Sequence, residues 1–337
     1  MPERQSSLLS SSRKGKSMRK KTALLLSTVF CVVFLFPQCS KENENKHVSI
    51  EIAKQFGLAY APIQIMEDLK LLEKRVPEAD ISWIQLSNTA AIREAMLGKG
   101  VDIGFMGIPP FLIGLDKGME WKLFTGLSEM PVGLVTWRED IVSLKDFSEK
   151  EKIALPQPGS IQHILLSMAA GKILGDTAFF DNSLITMSHP DGMNALLTRT
   201  DVTAHFTSPP YLMQELDIPG MHLVLTGKEA VGSSFTFIAG SVTDKFSQKY
   251  PEIVNKIKEA LQEAISFIKQ EPGESVRILS EAYGIEEEDL RKYFSWEGIV
   301  YTEEITGLSS FTDFMYKQKY IDHPFEDLNQ VLFQYEN

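Results

Sequence analysis

Residue types that perform catalysis or bind metals are present in this 337-residue sequence, but they do not form recognisable enzyme motifs. There is no Gly-x-Ser-x-Gly nucleophile motif and no His-Glu-x-x-His zinc motif, and the six histidines are scattered. Residues 104–107 run into Pro109 and Pro110, which excludes a phosphate-binding loop. The acidic residues 286–289 are typical of the solvated first turn of a helix. We therefore predict a protein that is not an enzyme and needs neither a metal nor a cofactor.

One turn has the chemistry to bind an anion. Gly159 and Ser160 directly precede residues 161–171, whose apolar composition predicts a helix. The first N–H groups of a helix are free, and with the positive end of the helix dipole they can hold an oxyanion without a charged side chain. The alternative is that Ser160 is an ordinary N-cap with no ligand. Both interpretations remain open from the residues alone.

The N-terminal segment differs in charge from the rest of the chain. Residues 1–38 hold seven of the 34 basic residues and one of the 45 acidic residues, so they carry +6 and the remainder carries −17. Basic residues 18–21 precede the uncharged residues 23–36, which is the layout of an export signal and too short for a typical membrane span. Met18 could be the true start, because the basic stretch that it opens is sufficient for a signal. The acidic remainder argues against nucleic acid as a partner.

Both cysteines fall in or directly after this predicted signal. Cys39 follows Pro37 and Gln38 in a sequence that resembles a bacterial lipobox, whose cysteine is lipidated; an ordinary signal peptide or an uncleaved anchor is the alternative. The polar residues after Cys39 suit a tether. We predict a signal peptide over residues 1–38 and a lipidated tether over residues 39–46. The mature domain then has no disulfide, because Cys31 is removed with the signal.

The elements that must position any ligand-binding residues alternate between strand and helix. A first unit has three strand-like stretches separated by two helical ones, at residues 48–53, 62–75, 81–86, 89–97 and 101–106. A second unit has the same order, at residues 152–155, 161–171, 184–187, 191–198 and 202–206. This order predicts two α/β units with parallel strands and right-handed crossovers.

Two further strand-like stretches, residues 131–137 and 233–240, lie between and after these units. Two α/β lobes joined by two crossing strands form a hinged clamshell, with the ligand at the carboxyl ends of the strands. We therefore assign residues to two lobes, with 47–133 and 236–337 in lobe 1 and 134–235 in lobe 2. A helix at residues 252–269 is predicted to pack on the core rather than form a coiled coil.

The series of turns and elements resembles one known family. The matching segments occur in the family's order, at residues 57–62, 95–110, 132–137, 141–147, 155–160 and 191–204, with residues 313–315 and 328–332 in the closing segment. The family comprises solute-binding proteins of the nitrate, sulfonate and taurine type, also known for thiamine-pyrimidine precursors, which are type II periplasmic binding proteins of ABC importers. The resemblance implies an α/β clamshell of two lobes, each a mostly parallel sheet flanked by helices.

The resemblance also implies where a ligand binds. By position, the family's ligand-lining loops fall on Tyr60, Ala61, Asn88, Gly107, Ile108, Pro109, Ser160, Ile161, Gln162, Phe206, Thr207, Ser208 and Tyr211. No Arg or Lys lies in these loops, which favours a sulfonate-like monoanion or a flat heterocycle, such as a pyrimidine or vitamin precursor, over a multiply charged anion. His163 and His205 lie beside the loops, and each is either a structural histidine or a ligand contact.

The function implied by the resemblance is binding rather than catalysis. The protein would be exported and anchored by lipid on the periplasmic or cell-surface side of the bacterial membrane. There it would capture a small solute by lobe closure and deliver it to an ABC permease and its ATPase. Two alternatives stay open: a ligand-binding sensor lipoprotein on the same fold, and a secreted enzyme of the thiamine-pyrimidine synthase type. Enzymes of that type use a cysteine-rich motif, which the predicted mature chain lacks.

Overall fold

The computed structural model of this chain describes residues 48–335. The predicted signal peptide and the whole predicted tether, including Cys39, lie outside the described residues, so they remain predictions. Between residues 48 and 335, no helix combines the length and the hydrophobicity that are needed to cross a membrane.

Strands and helices alternate along most of the described chain. The strands in this range are β1 (Val48–Lys54), β2 (Ala79–Gln85), β3 (Ile103–Met106), β4 (Trp121–Glu129), β5 (Gly133–Thr136), β6 (Ile153–Leu155), β7 (Leu184–Thr186), β8 (Ala204–Thr207), β9 (His222–Thr226), β10 (Ile238–Thr243) and β11 (Val300–Tyr301). The α-helices are α1 (Ala61–Asp68), α2 (Thr89–Leu97), α3 (Ile108–Asp116), α4 (Ile161–Ile173), α5 (His189–Leu197), α6 (Tyr211–Leu216), α7 (Gly227–Val231), α8 (Asp244–Lys249), α9 (Pro251–Gln270), α10 (Pro272–Tyr283), α11 (Glu287–Phe294) and α12 (Leu308–Lys317).

The strands form two mixed sheets. The first has the order β11-β4-β10-β3-β1-β2, and we call the part of the chain built on it lobe 1. In it β2, β1 and β3 run parallel, whereas β10, β4 and β11 pair antiparallel with their neighbours. The second sheet, in lobe 2, has the order β7-β6-β8-β5-β9, with β7, β6 and β8 parallel and β5 antiparallel to both neighbours. The chain passes between the sheets at residues 130–132 and at residues 232–237.

The antiparallel strands follow from where the chain enters each sheet. Ala239, near the start of β10, pairs with Met106 at the end of β3, and Gly133 at the start of β5 pairs with Thr207 at the end of β8. A strand that enters at the carboxyl edge of parallel strands must run against them. The sheets are therefore mixed instead of mostly parallel, and the two-lobed α/β fold is confirmed.

Local sequence determines where several helices start. Asn88 caps α2 by accepting a hydrogen bond from the backbone N–H three residues later at 3.0 Å. Ser160 caps α4 in the same way, at 3.3 Å. The sequence pattern does not predict α3, although Pro109 and Pro110 lie in its first turn, where a missing N–H costs no hydrogen bond.

α1 is shorter than the sequence predicts. Helical spacing over residues 62–75 predicts one helix, but α1 ends at Asp68, and Lys70 has a φ of 53°, in the left-handed region. Leu72 and Val76 are nevertheless fully buried. The apolar spacing of this stretch therefore serves the packing of a turn segment and not the continuation of the helix.

The hydrophobic core extends from one lobe into the other. Phe105, Phe111 and Trp121 of lobe 1 and Phe206 of lobe 2 are fully buried in one connected cluster. Burial of each such side chain contributes about 1.5–3 kcal/mol to folding. α9 packs its apolar face on α1, as predicted, while α10 also packs on α1 and α12 packs on α3. The C-terminal helices therefore belong to lobe 1 by their contacts.

Candidate ligand-binding site

The carboxyl ends of the parallel strands of both sheets meet at one cavity. Lobe 1 lines it with Gln55, Phe56, Tyr60, Thr89, Gly107, Pro110, Phe237 and Ile238, and lobe 2 lines it with Pro156, Ser160, Ile161, Gln162, His189 and Ser208. All of these except Phe237 and Ile238 follow a strand or lie at the start of a helix. This is the edge of an α/β sheet at which ligands generally bind.

The cavity brings together six of the residues that the sequence analysis assigns to the site. These six are Tyr60, Gly107, Ser160, Ile161, Gln162 and Ser208. The other seven do not line it: Ala61, Asn88, Ile108, Pro109, Phe206, Thr207 and Tyr211. Among these, Asn88 caps α2, Phe206 is buried within β8, and Thr207 and Tyr211 contact the ring of His189.

The cavity is small because the lobes touch around it. Its volume is about 20 Å³, which holds about one water molecule. Between the lobes, the Leu58 N–H donates to Pro209 O at 3.0 Å, and the Ala90 N–H donates to Gln157 Oε1 at 2.9 Å. The cleft is therefore closed in this structure, and a ligand larger than water requires the lobes to move apart.

The lining carries no charged side chain. None of the fourteen lining residues within the described chain is Asp, Glu, Lys or Arg. Lys54, which precedes Gln55, is buried, forms an ion pair with Glu67 and donates to Gln64 Oε1 at 2.6 Å. The polar features of the cavity are hydroxyl and amide groups and the positive end of the α4 dipole at Ser160. Such a lining suits a singly charged anion or a neutral molecule better than a multiply charged one.

Three aromatic side chains, Phe56, Tyr60 and Phe237, give the cavity an apolar side. Tyr60 is only 4% exposed, and burial raises the pKa of its hydroxyl well above the usual range, so the phenol is neutral. Aromatic faces of this kind can stack on a flat ring or pack against an alkyl group.

Sequence reasoning misses His189, the first residue of α5. Its ring lines the cavity, its Nε2 lies 3.2 Å from Gln162 Nε2, and its Nδ1 lies 3.1 Å from Thr207 Oγ1. Burial, and then the neighbouring His205, lowers the pKa of His189 to about 3, so the ring is neutral. A signal for it exists in the sequence, because Ser188 follows a predicted strand and caps α5 as a serine also caps α4.

The two histidines that the sequence singles out lie outside the lining of the cavity. His163 Nδ1 accepts the Gly159 N–H at 2.9 Å, and its Nε2 lies 3.1 Å from Asp181 Oδ1, so this ring holds the turn before α4. His205 is fully buried, with its Nδ1 2.6 Å from Glu215 Oε1. Both rings thus contact residues at or beside the site without lining the cavity themselves.

Structure comparison, unlike sequence comparison, finds similar proteins. No protein-family model matches this sequence, and no curated protein matches it. The alkanesulfonate-binding protein SsuA from Xanthomonas axonopodis pv. citri, solved bound to MOPS, matches with a TM-score of 0.70 at 18% identity, covering 85% of this chain and 98% of that chain. The periplasmic nitrate-binding protein NrtA from Synechocystis PCC 6803 matches with a TM-score of 0.59 at 17% identity, covering 72% and 69%.

The description of a third similar structure names its fold. The Candida albicans CA3427 gene product, described as exhibiting the generic periplasmic binding protein structural fold, has a TM-score of 0.69 at 11% identity, covering 86% of this chain and 98% of that chain. Identities this low make the likeness one of fold. The described chain therefore has the periplasmic-binding-protein fold, and its structural neighbours include sulfonate- and nitrate-binding proteins, in agreement with the sequence resemblance.

Proposed function

We propose that this chain is the solute-binding protein of an ABC importer and that it binds its solute between the two lobes. The observation that carries this proposal is the cavity at which the carboxyl ends of the parallel strands of both sheets meet. A ligand there contacts both lobes at once, so it favours an arrangement in which the lobes close on it. The structural neighbours named for alkanesulfonate and for nitrate are binding proteins, which supports the proposal.

The ligand class that we favour is a monoanion with oxygen acceptors, such as a sulfonate. Gln162, Ser160 and Ser208 supply amide and hydroxyl donors, and the N-terminus of α4 adds a positive dipole end. Each hydrogen bond to a charged ligand contributes about 1.5–3 kcal/mol. The structural neighbours named for alkanesulfonate and nitrate bind monoanions of this kind, which supports the class.

A flat heterocycle is the second candidate ligand. The aromatic side chains Phe56, Tyr60 and Phe237 favour it, because a planar ring gains from stacking on aromatic faces. A sulfonate with an alkyl or aryl group would use the same surface. The two candidates therefore differ in the polar contacts and not in the apolar ones.

Binding of either ligand requires an opening movement. Cavities that hold small molecules measure about 300–1,000 Å³, whereas this one measures about 20 Å³. We propose that the lobes rotate about residues 130–132 and 232–237, which connect the sheets without strand or helix. The hydrogen bonds that opening breaks contribute about 0.5–1.5 kcal/mol each.

We also propose that the chain is exported and held by lipid on Cys39 at the periplasmic or cell-surface side of the membrane, next to a permease and an ATPase. The support is the signal-like sequence of residues 18–36 and the periplasmic location in the name of one neighbour. A sensor lipoprotein would show the same binding without transport, and an enzyme would convert its ligand. Neighbouring genes for a permease and an ATPase would favour import over both.

A thermal-shift screen tests the binding function directly. Sulfonates, nitrate, pyrimidines, flavins and amino acids are added one at a time to the wild-type protein. A ligand present at 100 times its Kd stabilises the folded state by about 2.7 kcal/mol, so the unfolding temperature rises. We expect a rise with a sulfonate, and the absence of a rise with every class would contradict the proposal.

The position of the site is tested with Gln162→Ala. Loss of the amide is expected to weaken sulfonate binding about tenfold, the effect of about 1.4 kcal/mol, while leaving the unfolding temperature of the unliganded protein nearly unchanged. Gln262→Ala is the matched control, because Gln262 is exposed on α9 and hydrogen bonds to Glu303. Calorimetry that gives wild-type affinity for Gln162→Ala would refute the site.

A further inference from the structure

A chain of four side chains links the cavity to a fully buried carboxylate in lobe 2. Gln162 Nε2 lies 3.2 Å from His189 Nε2, and His189 Nδ1 lies 3.4 Å from His205 Nε2. At the buried end, His205 Nδ1 lies 2.6 Å from Glu215 Oε1. Gln162 and His189 line the cavity, whereas the side chains of His205 and Glu215 have no solvent exposure. An ionisable pair is therefore connected to the ligand site through one neutral ring.

The elements packed against His205 supply few groups that titrate. On β8 its neighbours across the sheet are Val135 of β5 and Ala154 of β6, which are apolar. α5 supplies His189 and α6 supplies Glu215. The second oxygen of Glu215, Oε2, has no hydrogen-bond partner among the described residues.

His189 has two further neighbours of its own. The ring of Tyr211, at the start of α6, stacks on it with centroids 5.9 Å apart, and Thr207 Oγ1 lies 3.1 Å from its Nδ1. Burial raises the pKa of Tyr211 to about 12, so its hydroxyl stays neutral. The only charges within the chain of side chains are therefore those of His205 and Glu215.

A single proton on the pair decides the direction of the hydrogen bonds that join His205 Nε2, His189 and Gln162. A buried carboxylate beside a neutral imidazole is costly, and one proton held by the pair removes the net charge. With that proton, His205 donates from Nδ1 to Glu215 and from Nε2 to His189 Nδ1. His189 then carries its own hydrogen on Nε2, which can only meet the carbonyl oxygen of Gln162. The amide of Gln162 thereby turns its NH₂ group toward the cavity.

Loss of the proton leaves His205 Nδ1 donating to Glu215 and reverses the hydrogen bonds beyond it. His205 Nε2 becomes an acceptor, His189 donates from Nδ1 and accepts at Nε2, and the NH₂ group of Gln162 turns away from the cavity to donate to that nitrogen. The carbonyl oxygen of Gln162 then faces the cavity, which is its orientation in this structure, where Gln162 Nε2 lies 3.2 Å from His189 Nε2. His189 changes its tautomer but not its charge, consistent with a pKa lowered to about 3 by burial and by His205.

We propose that anion binding in this cleft depends on one proton held by the His205–Glu215 pair, which directs the Gln162 NH₂ group to an oxygen of the ligand through His189. Gln162 contacts the ligand, and the other three are positioning residues. This inference rests on the proposed function, because it takes the same cavity as the ligand site. Where the free protein has lost the proton, binding takes one up, and affinity falls about tenfold for each further pH unit.

The test uses ethanesulfonate, whose charge does not change over the pH range of the experiment. Binding is measured by calorimetry in buffers of different ionisation enthalpy. The wild-type protein is measured from about pH 5 to about pH 8. We expect affinity to fall at the alkaline end, with an uptake of up to one proton there. Glu215→Gln keeps the size of the buried group, and its affinity is expected not to change with pH. His222→Gln is the control, because His222 Nε2 lies 2.8 Å from Ile141 O, outside the chain of side chains.

A second measurement is independent of any ligand. Nitrogen NMR of the imidazoles in the unliganded protein is expected to show His189 moving its hydrogen from Nε2 to Nδ1 in the step in which His205 loses a proton. His189 keeping one tautomer through that step would overturn the proposal, as would ethanesulfonate binding without pH dependence or proton uptake. Failure of ethanesulfonate to bind at any pH would instead contradict the proposed ligand class, and the NMR titration would still decide the proton relay.

Discussion

At the level of single residues, charged side chains lie behind the cavity and are absent from its lining. Lys54 is paired with Glu67 near the end of β1, and the carboxylate of Glu215 faces His205 below the start of α5. Between these charges and a ligand stand neutral groups, among them the ring of His189. In such surroundings the direction of a hydrogen bond, and not the net charge of the lining, determines which ligand atoms are favoured.

A separate carboxyl gives the fold a pH dependence unrelated to the ligand. Asp102 accepts the Glu51 N–H at 3.2 Å, and burial, followed by the hydrogen bond with the Glu51 side chain, raises the pKa of Asp102 from 3.8 to about 6. The folded chain binds this proton more tightly than the unfolded chain does. The cost of ionising Asp102 is therefore absent below the unfolded value of 3.8 and complete above a pH of about 6.

We predict that Asp102→Asn stabilises the protein at neutral pH. The amide keeps an acceptor for the Glu51 N–H and removes the ionisation cost, which is about 1–2 kcal/mol after allowance for partial exposure. The difference in unfolding temperature from wild type is expected to shrink as the pH is lowered toward about 4. Chemical denaturation at both pH values checks this, and an equal difference at both would contradict the assignment.

How far single residues could be predicted depends on how local their signal is. A cap such as Asn88 or Ser160 can be read from the sequence, because it concerns only the turn that follows it. The sequence does not predict roles for His189 and Glu215, because these roles depend on contacts with His205 that join two helices to a strand. No spacing within the sequence encodes that three-way contact. Only the fold brings these side chains to the back of the ligand site.

At the scale of elements, the first turns of helices from opposite lobes meet in the closed cleft. Gly107 precedes α3, and a Cβ placed on it would lie 3.1 Å from the Cβ of Ile161 at the start of α4. The backbone of Gly107, with φ −66° and ψ 154°, is open to any residue. A side chain at this position would therefore disturb the fit between the lobes and not the backbone.

We predict that Gly107→Val holds the lobes apart. The branched side chain meets Ile161 across the cleft, so ligand affinity is expected to fall about tenfold or more, since overpacking costs about 1–3 kcal/mol. Small-angle scattering should show a larger radius of gyration for the liganded variant than for liganded wild type. Gly273→Ala on α10 is the control, because a Cβ there meets nothing within 4 Å. Wild-type affinity and an unchanged radius in Gly107→Val would contradict contact of α3 and α4 during binding.

The elements themselves are predicted better than their pairing. The alternation of strands and helices up to β8 is readable, except at α3 and β4, because the other elements each have their own periodicity and caps. The antiparallel placement of β5 and β10 is not readable, since it depends on where the chain crosses between sheets. The sequence does not predict α3 for a local reason, because two prolines are as typical of a loop as of a helix start.

At the scale of the whole molecule, modest contacts hold the lobes together outside the cavity. Ser167 Oγ of lobe 2 lies 2.7 Å from Tyr320 OH, and Lys292 Nζ lies 2.5 Å from Asp217 Oδ1. An exposed ion pair of this kind is worth about 0–1 kcal/mol. A ligand must favour the closed form by about 5.5 kcal/mol to move a two-state equilibrium from 1:99 to 99:1. These polar contacts outside the cavity therefore contribute little to closure beside the free energy that a ligand must supply.

The distance between the lobes is the most direct test of the claim that a small anion closes this cleft. Spin labels on Leu97→Cys at the end of α2 and Leu197→Cys at the end of α5 report it, because both leucines are exposed, by 70% and 38%. Cys31→Ser and Cys39→Ser remove the native thiols. Double electron–electron resonance is expected to show a broad distribution without ligand that narrows when the sulfonate giving the largest thermal shift is added. A distribution that stays the same at every concentration of that sulfonate would contradict the account.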